Sequence, residues 1–163
     1  MLLSAPFAAG YSVFAATTTL CPMTPDVRRC SRLQGCRVLI VEDEHLIAWD
    51  LAEALTEEGA EVMGPKTSVD AALKALECEQ APDVALLDVS LDNHESAFAV
   101  AEELQSRRIP FVFYTGYRFT DVDNRFNDVT LCEKPMEGAA LAIALRHALR
   151  SARRRSARRF SSN

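Results

Sequence analysis

The amino-acid sequence predicts an α/β fold in which a parallel five-stranded sheet is covered by helices on both faces, an arrangement called doubly wound. Short apolar runs alternate along the chain with longer runs of helical periodicity, which is the pattern of repeated strand–helix units. The apolar runs are also continuous, as expected for central parallel strands that are buried on both sides. Ligands of such sheets bind at the carboxyl ends of the strands.

Each element follows from its own residues. The predicted strands, in chain order, are residues 36–42, 60–65, 82–88, 109–116 and 129–135. The predicted helices are residues 44–59, 68–80, 96–107 and 137–155, and the weakly patterned segment 119–128 is at most a short additional helix. In the first helix Ile47, Leu51 and Leu55 share one face, and in the last helix Leu141, Leu145 and Leu149 do so. Gly59 ends the first helix, and Ser68 is a candidate N-cap of the second.

Length and composition indicate one globular domain with tails. The chain has 163 residues, 48% hydrophobic and 25% charged, which is ordinary for a soluble domain. We expect residues 36–150 to form the domain, residues 1–35 to be a disordered extension or the product of a misassigned start, and residues 151–163 to be a basic flexible tail. The first segment is apolar but lacks the basic start of a signal peptide.

Cysteine usage and charge restrict the function classes. The five cysteines are odd in number and form no C-x-x-C pair, so we expect reduced thiols in a cytoplasmic protein rather than a disulfide framework or a zinc site. No apolar run is long enough to cross a membrane. The net charge of −5 does not suggest a nucleic-acid binder, and we expect the arginine-rich tail to be a frayed extension of the last helix.

Polar side chains stand where the predicted strands end. Glu42 and Asp43 follow the first strand, Asp88 the third, Thr115 the fourth and Lys134 the fifth. Mg²⁺ takes oxygen ligands and needs only one or two carboxylates besides water and phosphate. A lysine and a hydroxyl near a metal suit a phosphoryl group, because its transfer depends on positioning and charge neutralisation. An aspartate there can be the nucleophile that forms an aspartyl phosphate.

Four segments in this order, VLIVEDE, VALLDVSL, VFYTGY and CEKP, resemble the receiver domain of bacterial two-component response regulators. The resemblance covers roughly residues 36–150 and implies the flavodoxin-like (CheY-like) strand order 2-1-3-4-5. It implies that Asp88 is the phosphoacceptor, that Asp43 binds Mg²⁺ directly and that Glu42 holds a metal-bound water. The backbone carbonyl of Ser90 would complete the protein ligands of the metal.

The same resemblance assigns the remaining residues of the site. Thr115 would bond a phosphoryl oxygen, and Lys134 would pair with the phosphoryl group. Pro135, expected after a cis bond, would shape that loop, and Gly116 would leave access to the acceptor. The side chains of Ser90 and Tyr117 would tune the lifetime of the phosphoryl group.

A narrower resemblance lies in IPFVFYTGY, residues 109–117. It is similar to the PFxFATGY signature of an alphaproteobacterial receiver subgroup, whose members are often stand-alone receivers linked to histidine kinases of the HWE type. Tyr114 departs from the usual alanine. Leu131 stands where ordinary receivers carry a Tyr or Phe that swings inward on phosphorylation. We therefore expect residues 116–128 to carry the conformational change instead.

Several conspicuous residues have plainer interpretations. Glu44 and His45 are expected only to begin the first helix, and residues 92–95 (DNHE) to form a polar loop rather than a metal cluster. Trp49 and Phe98 are expected to be packing residues.

The sequence therefore predicts a single-domain response regulator, a phosphoacceptor rather than a conventional enzyme. Its expected partners are a histidine kinase or phosphotransfer protein and an unknown downstream protein, with Mg²⁺ as the cofactor. One rival is a Mg²⁺-dependent phosphohydrolase, although the D-x-D of haloacid-dehalogenase-type enzymes is absent after Asp88. A second rival is a nucleic-acid-binding regulator that acts through the arginine tail, which we regard as the less favoured partner class.

Overall fold

The computed structural model describes residues 33–91, 95–116 and 123–160. Its main strands are β1 (Arg37–Val41), β2 (Glu61–Lys66), β3 (Val84–Leu87), β4 (Phe111–Thr115) and β5 (Thr130–Glu133). Its helices are α1 (His45–Glu57), α2 (Val69–Cys78), α3 (Phe98–Ser106) and α4 (Gly138–Phe160), with a 3₁₀ helix at Asn124–Phe126. A short antiparallel pair, Ser90–Leu91 with Glu95–Ser96, precedes α3.

The five main strands form one parallel sheet in the order β2-β1-β3-β4-β5. This confirms the predicted fold class and strand order. Strands β3 and β4 are buried at every position, and β1 is buried from Val38 onward. The sheet therefore holds its central strands in the interior, where unbroken apolar runs are favoured.

Helices cover both faces of this sheet. On one face, α1 and α4 pack against side chains of the central strands, and the predicted stripe of Leu141, Leu145 and Leu149 is buried there. On the other face, α2 and α3 pack against the alternate side chains, together with Phe126. The predicted N-cap of α2 is confirmed, because the Ser68 hydroxyl oxygen accepts the N–H of Ala71 at 3.2 Å.

The two packing predictions have opposite outcomes. Phe98 packs as expected, stacked on Phe126 with ring centroids 5.6 Å apart. The prediction for Trp49 is wrong, because this side chain is 72% exposed on α1. Successive helical residues are about 100° apart, so Trp49 lies about 200° from Ile47 and faces away from the sheet.

The end of the domain also differs from expectation. The last helix, predicted over residues 137–155, continues through Phe160, five residues further into the segment expected to be a basic flexible tail. The weak segment 119–128 contributes only the 3₁₀ helix within its described part. Residues 1–32 and residues 92–94 lie outside the described part of the chain.

Two further findings concern function classes. Within the described ranges, Cys36, Cys78 and Cys132 are free thiols, whereas Cys21 and Cys30 fall outside those ranges. None of the helices that the structure describes is long and apolar enough to cross a membrane.

Candidate functional site

The pairing of β1 with β3 brings the two acidic strand ends together. Val41 lies opposite Leu87 in the parallel register, so the residues that follow each strand leave the sheet side by side. The N–H of Asp88 donates to the carbonyl of Val41 at 2.9 Å, which extends the pairing by one step. Glu42 and Asp88 are consequently held at the same carboxyl edge of the sheet.

Three carboxylates converge at this edge. One oxygen from each of Glu42, Asp43 and Asp88 lies within 4.8 Å of the others. Glu42 is 1% exposed and Asp88 is 6% exposed, whereas Asp43 is half-buried. Buried carboxylates are unfavourable unless cations or hydrogen bonds compensate for their charge. The cluster therefore requires positive charge.

Lys134 supplies one positive charge. A main-chain hydrogen bond holds this residue at the site: the Lys134 N–H donates to the carbonyl of Thr115 at 3.0 Å, where β5 ends beside β4. Its Nζ donates to Oε2 of Glu42 at 2.6 Å and to Oδ2 of Asp88 at 2.7 Å. One ammonium facing three carboxyl groups leaves the site able to accept a further cation.

The pKa values reflect this crowding. Burial raises the pKa of Glu42 to about 7, against the opposing hydrogen bond from Lys134 and with a smaller contribution from the charge of Asp88. Burial alone would lower the pKa of Lys134, but its hydrogen bonds to Asp88 and Glu42 outweigh that effect and raise it. Lys134 thus remains protonated at neutral pH.

The donor set fits a hard divalent cation. Among the residues described, Oε1 of Glu42 is buried and has no hydrogen-bond partner, and an unpartnered buried oxygen is costly. Carboxylate oxygens from three residues lie close enough to share one ion or its bound water. Ser90, expected to contribute its carbonyl, lies nearby, because its N–H donates to Oδ1 of Asp88 at 3.1 Å.

The other predicted site residues occupy the same edge. Thr115 ends β4 and is fully buried, and the expected cis bond precedes Pro135. A Cβ added to Gly116 would meet no described atom within 4 Å. Tyr117 lies outside the described residues, so its predicted role stays a prediction.

Tyr114 is a residue of the site that the sequence interpretation did not assign. It is buried, its ring centroid lies 5.4 Å from Nζ of Lys134, and its hydroxyl oxygen accepts the N–H of Met136 at 3.3 Å. Tyr114 thus contacts both the lysine and the loop that follows it. Its departure from the subgroup signature was a signal that could have identified it.

The structure brings most of the predicted site residues close together. Glu42, Asp43, Asp88 and Lys134 lie at one point, at the ends of three different strands. Leu131, at the position of the usual aromatic residue, is half-buried in β5.

Comparison with known proteins agrees with this geometry. The family described as the response regulator receiver domain matches residues 38–143. The transcriptional regulatory protein PdtaR of Mycobacterium tuberculosis is 37% identical over 92 residues, covering 56% of this chain and 44% of PdtaR. The phyllosphere-induced regulator PhyR of Methylorubrum extorquens is 36% identical over 127 residues, covering 74% of this chain and 47% of PhyR.

One similar solved structure is matched over nearly its whole length. The solution structure of SdrG from Sphingomonas melonis Fr1 has a TM-score of 0.62 and 41% sequence identity, covering 72% of this chain and 97% of SdrG. The chain thus spans about half the length of the curated relatives it matches, but nearly all of SdrG.

Proposed function

The chain belongs to the response regulator receiver domain family, and we propose that it accepts a phosphoryl group on Asp88 in a Mg²⁺-dependent reaction. The donor is a histidine kinase or a phosphotransfer protein, and the output is contact with a further protein. One observation carries the proposal. A lysine bridges two buried carboxylates, Glu42 and Asp88, beside a third acid, Asp43.

Asp88 is the nucleophile in this proposal. A carboxylate oxygen of Asp88 attacks the phosphorus of a phosphohistidine, the new O–P bond forms, and the P–N bond breaks with its electron pair passing to the imidazole. Oδ1 already accepts the Ser90 N–H and Oδ2 faces Lys134, which fixes the orientation of the carboxylate before the donor arrives.

Lys134 and Thr115 stabilise the transferred group. The ammonium of Lys134 can pass from the carboxylate to a phosphoryl oxygen without leaving the site, and the Thr115 hydroxyl bonds another oxygen. Bound Mg²⁺ supplies charge neutralisation on the phosphoryl oxygens. Asp43, Asp88 and the Ser90 carbonyl would hold the ion, with Glu42 facing its bound water, and Asp43→Ala is expected to abolish binding.

The conformational response is proposed to lie in residues 116–128, because Leu131 cannot perform an aromatic rotamer switch. Relaxation-dispersion NMR with and without a phosphoryl mimic tests this. An unchanged 116–128 segment would contradict it. Replacing Ser90 or Tyr117 is expected to change the rate of phosphate loss, and unchanged lifetimes would remove both from the mechanism.

The docking surface for the donor includes the exposed start of α1. Leu46 and Trp49 are 83% and 72% exposed and lie on the outward side of the helix that begins just after Asp43. An apolar pair so close to the acceptor fits a protein donor that must bring its histidine to Asp88. Aromatic side chains are common anchors of such interfaces.

We further propose that the protein acts as a single-domain regulator of the PFxFATGY type, with a donor of the HWE class. Two observations support this. The segment 109–117 is similar to the signature of that subgroup, and the match to SdrG extends over 97% of that protein.

The test is labelling with radioactive acetyl phosphate in the presence of Mg²⁺. Wild type is expected to form an acid-stable, base-labile adduct, and Asp88→Asn is expected to form none. Asp70→Asn is the matched control, because Asp70 is an exposed carboxylate on α2. Equal labelling of wild type and Asp88→Asn would overturn the assignment of the acceptor. Multiple turnovers of an aryl phosphate by the wild type would favour a phosphohydrolase instead.

A further inference from the structure

The last helix extends beyond the body of the domain. Its apolar stripe packs on the sheet as far as Leu149. Ser151 and Ala152 are half-buried, and every side chain from Arg153 to Ala157 is exposed. The backbone remains helical through Phe160. At a rise of about 1.5 Å per residue, the part after Ala152 projects by about 12 Å.

This projecting helix concentrates positive charge. Residues 138–163 contain seven arginines and no acidic residue, whereas the rest of the chain has eleven cationic and twenty-three acidic side chains. Within the described residues, no ion pair involves Arg146, Arg150 or the arginines at 153–155. The net charge of −5 is therefore the sum of a strongly basic last helix and a strongly acidic remainder of the chain.

The arrangement of these arginines indicates which kind of anionic partner the helix can bind. Arg153, Arg154 and Arg155 are spaced by about 100° each, so they span about 200° of the circumference, and Arg153 and Arg155 lie on nearly opposite sides of the helix. A helix that lies on a membrane needs an apolar face opposite its basic face. The projecting part offers only Ala157 and Phe160 as apolar residues. Cations on two nearly opposite sides of a helix fit a site with negative charge on both sides, which is a groove between two phosphate backbones.

We infer that the arginine helix, residues 150–160, binds the phosphate backbones of duplex DNA from within the major groove, without base specificity. The groove is about 12 Å wide, and a helix with its side chains measures about 10–12 Å. All seven cations of residues 138–163 are arginines, whose planar guanidinium groups can bond phosphate in a bidentate manner. The acidic body is repelled by the duplex, so contact is restricted to the helix and its base.

The base of the helix adds one more cation. Arg155 and Arg108 border the same cavity, of about 660 Å³, between α4 and the loop that precedes β4. Arg108 is exposed. The basic surface thus continues from the helix onto this loop, although Asp128 also borders the cavity. This inference departs from the expectation that the net charge gave, because the seven arginines of residues 138–163 are separate from the acidic body.

Fluorescence anisotropy with a labelled random-sequence DNA duplex over a range of salt concentrations tests the inference. The variant R153Q/R154Q/R155Q is compared with wild type, since glutamine and arginine have similar helix propensities. Each lost phosphate contact reduces the slope of log K against log salt by about 0.9. We expect the slope to become about 2–3 units shallower and the low-salt affinity to fall at least roughly tenfold. R153K/R154K/R155K retains the charge and is expected to retain most of the slope.

Two controls make the result decisive. Lys74→Gln removes an exposed cation on α2 and is expected to leave binding unchanged. Circular dichroism checks that the triple glutamine variant retains its helix. An unchanged affinity in that variant would overturn the inference. So would tighter binding to single-stranded RNA or to anionic lipid vesicles than to the duplex, or an effect of the triple variant on self-association alone.

Discussion

The ammonium of Lys134 lies 2.6 Å from Oε2 of Glu42, although the two residues are 92 positions apart in the sequence. The side chain of Glu42 is 1% exposed and that of Lys134 is 14% exposed, so this ion pair is largely shielded from water. Removing one partner of such a pair leaves the other charge buried and unpaired.

Lys134→Gln is therefore expected to lower the free energy of unfolding by about 2 kcal/mol in the absence of divalent ions. The pKa of Lys134 is raised in the folded state, so its contribution is complete below the ordinary lysine pKa and is lost only as pH rises through the folded value. Urea denaturation at neutral pH measures the effect. Lys66→Gln is the matched control, because the Lys66–Glu79 pair is more exposed. A loss no greater than that of the control would contradict the prediction.

Glu42 gives stability an opposite dependence on pH. Its pKa in the folded state is about 7, raised mainly by burial from 4.5, so folding takes up a proton between these values and stability falls as pH rises through that window. Relative to Glu42→Gln, which cannot titrate, metal-free wild type is expected to lose about 2–3 kcal/mol from pH 4.5 to 8. Urea denaturation of both proteins in chelator measures the difference, and a difference that grows in favour of wild type would be inconsistent with it.

Tyr114 is expected to position Lys134. Tyr114→Phe keeps the ring near Nζ but removes the hydroxyl that accepts the Met136 N–H, so stability should fall by about 1 kcal/mol. Labelling by acetyl phosphate should slow several-fold, because the loop that carries the lysine loses a contact. Mg²⁺ affinity, measured by calorimetry, should be unchanged, since Tyr114 is not one of the proposed ligands. A variant that is less stable but labels at the wild-type rate would show a structural role only.

Trp49→Ala separates protein donors from small donors. Its side chain is 72% exposed, so truncation should cost little stability, and acetyl phosphate should label the variant normally. Transfer from a histidine kinase that labels wild type is expected to slow roughly tenfold, as for loss of an interface anchor. Ile143→Ala, which removes another exposed apolar side chain, is the control and should transfer normally. Equal slowing of both variants would place the docking surface elsewhere.

Gly138 is needed where α4 begins. A Cβ at this position would lie 2.6 Å from Cβ of Ala54 on α1, so Gly138→Ala should reduce stability by about 1–3 kcal/mol through overpacking. Gly116→Ala is the matched control, since its Cβ would meet no atom of the described residues within 4 Å. Thermal unfolding measures both variants. The second change Ala54→Gly should recover part of the loss, and failure to recover any of it would point to another cause.

Most of the fold and much of the site could be predicted because the decisive signals are local. Unbroken apolar runs marked the central strands, Ser68 marked a helix start, and an acid, a hydroxyl or a lysine marked the ends of four of the five strands. A parallel sheet then brings the ends of adjacent strands together without further information from the sequence.

The remaining features depend on contacts that no local pattern contains. Glu42 and Lys134 meet only through the pairing of distant strands, so the raised pKa of Glu42 could not be read from the residues around it. The predicted end of α4 at residue 155 was five residues short, although the alanine and arginines that follow are good helix formers. The exposure of Trp49, in contrast, could have been predicted from the sequence, because the helical period alone places it on the opposite side of α1 from Ile47.

The position of Lys134 in the sheet has a kinetic consequence. Glu42 and Asp88 follow the inner strands β1 and β3. Lys134 follows β5, which among the described strands is an edge strand that pairs only with β4. Edge elements separate from a domain more readily than central ones, and such openings need not involve global unfolding. A brief detachment of β5 would withdraw the lysine and leave the acids in place. The opening rate of β5, which amide hydrogen exchange reports, would therefore limit how long the phosphoryl site persists in its complete form.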